Sequence, residues 1–266
     1  MITLKIMASV VATFALTLVV GCDRTDPTAP GAQEAVALQT KQVSATKKLS
    51  ATLCSPSGGG FTLASTNPYW PLTVGRQLIL TGEEEGATHT LQITVLDQTR
   101  PISGVTTRVV EEREFADGEL IEVSFNYFVQ APGGAICYFG EDVDIYEDGG
   151  VSHEGTWCAD HPGFAAGIFI PAEPTPGTRF EIEVAPGVAE DEGKIVGVGS
   201  VEVPFGLFTN TIRIREFNPL DRGKDYKVHA AGTGIIVDGT LQLEDVNQTS
   251  GAAPQPTITR QTCGVS

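Results

Sequence analysis

The stretch "IEVSFNYFV" (residues 121–129) decides the fold class, because large apolar residues alternate with other residues along it. The apolar side chains that share one side are Ile121, Val123, Phe125, Tyr127 and Val129. Successive side chains of a β-strand point to opposite faces, so a period of two indicates a strand rather than a helix. The turn sequences "ADGE" and "APGG" lie just before and just after the stretch. This arrangement predicts one strand of an antiparallel hairpin.

The same alternation continues outward along the chain. "LQITVL" (residues 91–96) and "FEIEV" (residues 180–184) each place apolar residues on one face, and further Gly-containing turns separate such runs. No long segment has helical periodicity. The sequence therefore predicts an all-β domain, an antiparallel meander that forms a curved half-barrel or a barrel. We expect this single domain to span residues 53–246, with an irregular C-terminal tail over residues 247–266.

The chain begins "MITLKIMASVVATFALTLVVGC", in which Lys5 precedes an apolar run that ends at Gly21 and Cys22. The run is shorter than the roughly 20 residues of a membrane-spanning helix, and a small residue stands before the cysteine. These features predict a lipoprotein signal peptide over residues 1–21. Cys22 would then carry the lipid, fatty acyl chains such as palmitate, and anchor the protein to a membrane. Residues 22–52 would form the lipidated start and a flexible tether rich in Ala, Thr, Ser and Pro.

The four other cysteines lie in a domain that we expect to be exported, where disulfides persist. Four cysteines allow three pairings, which sequence alone does not separate. We favour Cys54 with Cys263, which would tie the two ends of the domain, and Cys137 with Cys158, which would bracket an acidic hairpin. A metal site built on cysteine is disfavoured, since paired C-x-x-C spacing is lacking.

The formal net charge of the chain is -16. Nucleic-acid binding requires a basic surface, so no nucleic-acid partner is expected. The sequence also lacks a P-loop, a dinucleotide fingerprint and a G-x-S-x-G motif. It therefore predicts no catalytic residues and no cofactor, with calcium as the alternative, and it favours a binding protein over an enzyme.

Several segments resemble a family of uncharacterised bacterial secreted proteins whose domain begins N-P-Y-[FW]-P-L. The matching segments are "TNPYWPLTVGRQLILTGE", "REFADGELIEVSFNYFVQ", "YFGEDVDIYEDG", "IFIPAEPTPGTRFE", "VEVPFGLFTNTIRIREFNPL" and "AAGTGIIV". In that family a Trp stands where this chain has Cys137, a departure that fits a local disulfide here. The strand pattern is also similar to half-barrel proteins related to lipoprotein carriers, which implies a sheltered apolar cavity.

The acidic run "YFGEDVDIYEDGG" (residues 138–150) contains the main candidate site. Strand alternation would place Glu141 on the same side as the apolar residues Cys137, Phe139, Val143 and Ile145. A carboxylate on an inward face must be paired, hydrogen-bonded or bound to a ligand. Glu141 is therefore a candidate acid/base or ligand contact. The alternatives are a structural ion pair to Arg108, Arg113, Arg213 or Arg215, and a bulge at Gly140 that turns the residue outward. A second acidic cluster, "AEDEG" (residues 189–193), could converge on the first.

The other carboxylates of the run offer oxygen ligands for calcium, which binds about 6 to 8 oxygens. The candidate ligands are Asp142, Asp144, Glu147 and Asp148. The run lacks the core of an EF-hand loop, so a solvated acidic hairpin is the alternative. Tyr69 and Trp70, held between two prolines, form either a platform for a ligand or an aromatic plug at one end of the sheet.

These observations predict a lipid-anchored lipoprotein of the bacterial cell envelope, on the periplasmic side or the outer surface. Its partners would be the membrane, through the lipid, and an apolar small molecule or an envelope component. Two alternatives remain open at this point: a carbohydrate-active hydrolase or lyase that uses converging carboxylates, and a calcium-stabilised structural or adhesive surface protein.

Overall fold

The computed structural model describes residues 47–147 and 149–258. The expected signal peptide, Cys22, most of the expected tether, Asp148 and Cys263 lie outside the described residues. The described chain is all-β, as the alternation predicts, and its only helices are two short 3-10 turns, Ala51–Cys54 and Pro56–Gly58. No helix among these residues has the length and apolar character needed to cross a membrane.

Fifteen strands form one antiparallel sheet. They are β1 (Arg76–Glu84), β2 (Ala87–Ile102), β3 (Val105–Ala116), β4 (Glu119–Gln130), β5 (Ile136–Glu147), β6 (Gly150–Ser152), β7 (Trp157–Cys158), β8 (Ala165–Ile170), β9 (Arg179–Glu181), β10 (Glu183–Val184), β11 (Glu192–Val203), β12 (Gly206–Phe217), β13 (Lys224–Ala230), β14 (Gly234–Asp238) and β15 (Leu241–Gln248). The strand order is β10-β8-β5-β4-β3-β2-β1-β15-β14-β13-β12-β11-β9, while β6 and β7 pair with β5.

Two-residue turns connect β1 to β4 as consecutive hairpins. In the turn between β3 and β4, Asp117 and Gly118 have φ of 49° and 84°. A positive φ at both central residues gives the turn a twist that matches the twist of the flanking strands, which explains the Asp-Gly pair. The predicted turn at "ADGE" is thus a tight hairpin turn.

The sheet is curved and open, and its two end strands are neighbours along the chain. β9 and β10 lie at opposite ends of the strand order, yet only Ile182 separates them along the chain. Register shifts within β2, β5 and β11 accompany this curvature, since bulges bend strands and increase their twist. The expected half-barrel is confirmed in this open form.

The face that we call concave carries residues that meet across the curve of the sheet. His229 on β13 lies 5.7 Å from the ring of Trp70, and Trp70 lies 5.4 Å from Phe128 on β4. Five strands separate β4 from β13 in the sheet, so these contacts require the sheet to curl back on itself. The opposite, convex face is covered in part by the C-terminal segment, where the Arg113 guanidinium donates to the carbonyl oxygens of Pro254 and Pro256.

The expected disulfide pairing is wrong. Cys54 is bonded to Cys137, 83 residues away, rather than to Cys263, and Cys137 is therefore not bonded to Cys158. The reason lies in the topology, because the turn Ala51–Cys54 packs beside β8, which is the neighbour of β5, the strand that holds Cys137. Cys158 is itself disulfide-bonded.

The chain joins the sheet earlier than the expected start at residue 53. Lys48 forms a β-bridge with Arg179, and the Leu49 amide donates to the Arg179 carbonyl at 2.8 Å. At the other end, β15 runs to Gln248, and the Asp97 amide donates to the Gly251 carbonyl in the segment that follows.

Candidate functional site

A bulge in β5 decides where Glu141 points. Phe128 pairs with Tyr138, but Asn126 pairs with Glu141, so β5 has one more residue than β4 between these two pairs. Gly140 lies in this bulge with φ of 134°, and a Cβ there would lie 2.3 Å from the Trp157 carbonyl oxygen. Only glycine fits such a position, because its backbone reaches this φ and it has no side chain to collide.

The bulge reverses the alternation that we expected for β5. Before it, Tyr138 faces the concave side; after it, Glu141 and Val143 do, as shown by their register with Asn126 and Ser124. The prediction that Cys137 and Phe139 share a face with Glu141 is therefore wrong, since a one-residue insertion shifts the phase of every following side chain.

Glu141 is almost completely buried on the concave face, with 3% of its surface exposed. Tyr138 donates a side-chain hydrogen bond to Asn126 Oδ1 at 2.5 Å and also interacts with Glu141. Burial raises the pKa of Glu141, while the Tyr138 hydrogen bond and the charge of Lys227 oppose this shift. None of the four arginines proposed as its partner has that role, and Lys227 supplies the nearby positive charge instead.

Lys227 lies on β13 within a cluster of carboxylates from many strands. Its Nζ is 3.2 Å from Glu216 Oε2 and 3.7 Å from Asp238 Oδ2. Burial alone would lower the pKa of Lys227, but the surrounding carboxylates raise it well above its ordinary value. We call the carboxylates around this lysine the acidic cluster, and its members are Glu112, Glu141, Glu183, Asp191, Glu216 and Asp238.

Three members of the acidic cluster are buried without full hydrogen bonding. Glu112, Glu183 and Asp191 are 7%, 3% and 7% exposed, and one carboxylate oxygen of each has no hydrogen-bond partner among the described residues. Burial raises the pKa of Glu183 well above its usual range, with further contributions from Glu141 and Asp191. Burial, followed by the charge of Glu216, raises the pKa of Asp191 to about 7.

Asp191 belongs to the "AEDEG" segment, so the two acidic segments that we expected to converge supply one common cluster. The charges of Glu141 and Asp191 each affect the pKa of Glu183. Sequence reasoning missed five residues of this cluster, namely Glu112, Glu183, Glu216, Lys227 and Asp238. A usable signal was present, because Glu216 follows Ile212 and Ile214 at a spacing of two, on the apolar side of its strand.

The other half of the concave face is aromatic. The rings in contact there belong to Trp70, Phe128, Tyr138, Phe169 and His229. Burial, and then the charge of Lys227, lowers the pKa of His229 to about 3, so this imidazole is neutral at physiological pH. Of the two expected aromatic contacts, Trp70 is buried in this group, whereas Tyr69 is half-buried and its hydroxyl donates to Asn210 Oδ1 at 2.9 Å.

A cavity beside the aromatic half is smaller than the one that the resemblance to carrier proteins implies. Trp70, Pro71, Leu78, Ile93 and Val110 contribute to its lining. Its interior has room for about one water molecule. Trp70 and its neighbours thus fill this end of the concave face with their own side chains, which is the plug arrangement rather than an open platform.

The candidate calcium ligands do not come together. Asp142 and Asp144 face the convex side and are fully buried, where Asp142 accepts a hydrogen bond from the Tyr127 hydroxyl at 2.6 Å. Asp144 Oδ1 lies 2.9 Å from Nδ1 of His153. Glu147 is exposed at the end of β5, and Asp148 lies outside the described residues. Both aspartates are thus engaged by protein groups rather than grouped around a space for an ion.

No family model matches the chain, and neither a curated protein nor a solved structure is significantly similar to it.

Proposed function

We propose that this protein is a lipid-anchored lipoprotein of the bacterial envelope whose β domain binds a ligand on its concave face. The ligand has an apolar part and a positively charged part. The observation that carries this proposal is the set of buried carboxylate oxygens without hydrogen-bond partners, on Glu112, Glu183 and Asp191. A purely apolar ligand is less well supported, because the described apolar cavity holds about one water molecule.

The physical argument rests on the cost of burying charge. An ionised carboxylate in an apolar environment is strongly destabilising unless it is paired and hydrogen-bonded. Lys227 is one cation among six carboxylates, with close contacts to Glu216 and Asp238. A ligand amine would bring a second positive charge and hydrogen-bond donors to the remaining oxygens. Its apolar part would lie against the aromatic half of the same face.

The membrane anchor is proposed from the sequence. A small residue before Cys22, an apolar run before it and a polar, Pro-containing segment after it supply the features of a lipoprotein signal. Replacing Cys22 with Ser should move the protein from the membrane fraction to the soluble fraction and abolish labelling by a fatty acid. If Cys22→Ser protein remained membrane-bound and labelled, the anchor would be elsewhere.

Isothermal titration calorimetry with matched amphiphiles tests the binding proposal. The protein would be residues 23–266, which lack the signal and the lipid site, and the ligands would be dodecylamine and uncharged dodecanol below their aggregation limits. We expect the amine to bind at least 10-fold more tightly than the alcohol. Glu183→Gln should remove most of this difference, and Glu202→Gln, a change at an exposed position of β11, should leave it intact. Equal binding of the two amphiphiles, or no binding of either, would contradict the proposal.

A carbohydrate-active hydrolase or lyase is the second candidate. The observation that favours it is the group of Glu141, Tyr138 and Asn126 beside carboxylates whose pKa values are raised, since a general acid must hold its proton near neutral pH. Turnover of an envelope polysaccharide, abolished in Glu141→Gln with little change in melting temperature, would support this candidate. Absence of turnover across a polysaccharide panel would remove it.

A further inference from the structure

Three potential metal ligands meet at the rim of the concave face. Glu84 ends β1, His89 lies near the start of β2, and Glu114 lies near the end of β3. The pairings of Gly82 with His89 and of Leu91 with Glu114 put these side chains on the concave side, close to the hairpin turns. One ligand atom from each residue lies within 4.8 Å of the other two.

The three side chains are already oriented toward one another. His89 Nδ1 lies 2.8 Å from Glu114 Oε1, and these side chains are 15% and 6% exposed. The Thr240 hydroxyl donates to Glu84 Oε1 at 2.9 Å, which restrains the third carboxylate. Hydrogen bonds of this kind orient metal-binding carboxylates in known sites.

The local charge also favours a cation. Glu114 is 5% exposed, and the charges of Glu84, His89 and Asp238 all act on it. Glu122 on β4 adds another carboxylate, because it pairs directly with Glu114 across the two strands. One imidazole does not balance this number of carboxylates, whereas a divalent cation would.

We propose that Glu84, His89 and Glu114 form a binding site for a transition-metal ion, Zn²⁺ in preference to Ca²⁺. One imidazole nitrogen and two carboxylate oxygens are ligands that suit Zn²⁺, whereas calcium takes only oxygen ligands in larger number. At Zn²⁺ distances of about 2.0 to 2.2 Å, tetrahedral binding requires His89 Nδ1 and Glu114 Oε1 to separate by about half an ångström. Three protein ligands leave the fourth position for water or for a ligand group.

The test uses residues 23–266 after treatment with a chelator and dialysis. Titration calorimetry should show one equivalent of Zn²⁺ bound, and the melting temperature should rise in Zn²⁺ but not in the same concentration of Ca²⁺. His89→Ala and Glu114→Gln should each lower the Zn²⁺ affinity at least 10-fold, and Thr240→Val should lower it about 10-fold through the orientation of Glu84. Circular dichroism establishes that each variant is folded.

His161→Ala is the matched control, because His161 is an exposed histidine on a loop outside the sheet. It should leave Zn²⁺ binding unchanged. Loss of binding in His161→Ala, equal binding by His89→Ala, or no Zn²⁺ binding by the parent protein would each overturn the proposal. Calcium binding as tight as Zn²⁺ binding would overturn the stated preference. Amine binding by the acidic cluster is measured separately and does not decide this outcome.

Discussion

Glu141 and Asp142 are neighbours in sequence but lie on opposite faces of β5, and the two faces treat buried carboxylates differently. On the convex face each carboxylate has a local partner: Glu111 has Arg113 at 3.1 Å, Asp142 has the Tyr127 hydroxyl and Asp144 has His153. In the acidic cluster Lys227 pairs with Glu216 and Asp238, whereas Glu112, Glu183 and Asp191 each keep one oxygen without a hydrogen bond among the described residues.

This difference separates polar groups that stabilise the fold from polar groups that are available to a ligand. A buried ion pair can cost as much in desolvation as the pairing returns, but removal of one partner alone is strongly destabilising. A buried charge that lacks a partner lowers stability in the unbound protein and gains most from a ligand of opposite charge. We therefore expect removal of a paired group to be destabilising on either face, and neutralisation of a carboxylate that lacks a partner to be stabilising.

Arg113→Met should produce the largest effect. It removes the partner of Glu111, which is 1% exposed, and the donor to the C-terminal segment. We expect the free energy of unfolding to fall by about 3–5 kcal/mol, the usual cost of leaving one member of a buried ion pair alone. Urea denaturation measures it. A loss under about 1 kcal/mol would show that the convex face does not depend on its pairs.

Lys227→Met should produce the next largest effect on stability. At pH 8 the loss of the lysine leaves Glu216 and Asp238 facing each other, and we expect a decrease of about 2–4 kcal/mol in the free energy of unfolding. At pH 5 the decrease should be smaller, because the pKa of Glu216 is raised by burial and its protonated form needs no cation. The same urea denaturation at both pH values measures this, and an equal decrease at both would contradict the role given to the lysine.

The parent protein should become less stable as the pH rises from 5 to 8. The pKa of Asp191 is about 7 in the folded protein, above its ordinary value, so the folded state holds a proton that the unfolded state releases. Stability from this group is therefore present at low pH and lost as the pH passes 7. The groups that face it are Glu141, Glu183, Glu216 and Lys227.

Asp191→Asn should make the loss in the free energy of unfolding between pH 5 and 8 smaller, by on the order of 1–3 kcal/mol. Thermal unfolding across that range measures the slope. The control is Asp245→Asn, on the exposed surface of β15. A parent protein that gained stability between pH 5 and 8 would contradict the raised pKa.

Glu183→Gln should have the smallest effect and the opposite sign to Arg113→Met. The Gln side chain has nearly the same shape as Glu but carries no charge. We therefore expect the free energy of unfolding to rise by about 1 kcal/mol at pH 8. Urea denaturation at pH 8 and pH 5 measures this gain, which should be smaller at pH 5, because the raised pKa of Glu183 favours its uncharged form there. A destabilisation at pH 8 would mean that Glu183 has a structural partner.

The sequence predicts the sheet better than the site. The alternation in residues 121–129 and the Asp117-Gly118 turn are local signals, and both give the observed strand and hairpin. The inward position of Glu141 is also predicted. The prediction that Cys137 and Phe139 lie on the same face as Glu141 is wrong because of the bulge at Gly140. A glycine in a strand pattern does not reveal whether a residue has been inserted.

The remaining parts of the site depend on contacts between distant strands. Lys227 on β13 lies near the charge of Glu112 on β3 only because the sheet curls across the four strands that separate β3 from β13. The Cys54–Cys137 bond depends on the same arrangement. No spacing along the chain encodes such pairs, so these features required the three-dimensional structure.

The Cys54–Cys137 disulfide also determines how the domain would carry mechanical load. If a lipid at Cys22 anchors the protein, as we propose, tension from the membrane would enter the domain through residues 47–54. The disulfide would pass that tension directly to β5 and bypass the segment between the two cysteines, which are 83 positions apart. β1 to β4, which carry Glu84, His89, Glu112 and Glu114, lie within that bypassed segment. Pulling on the tether would therefore leave these side chains in place until strands outside the loop had separated.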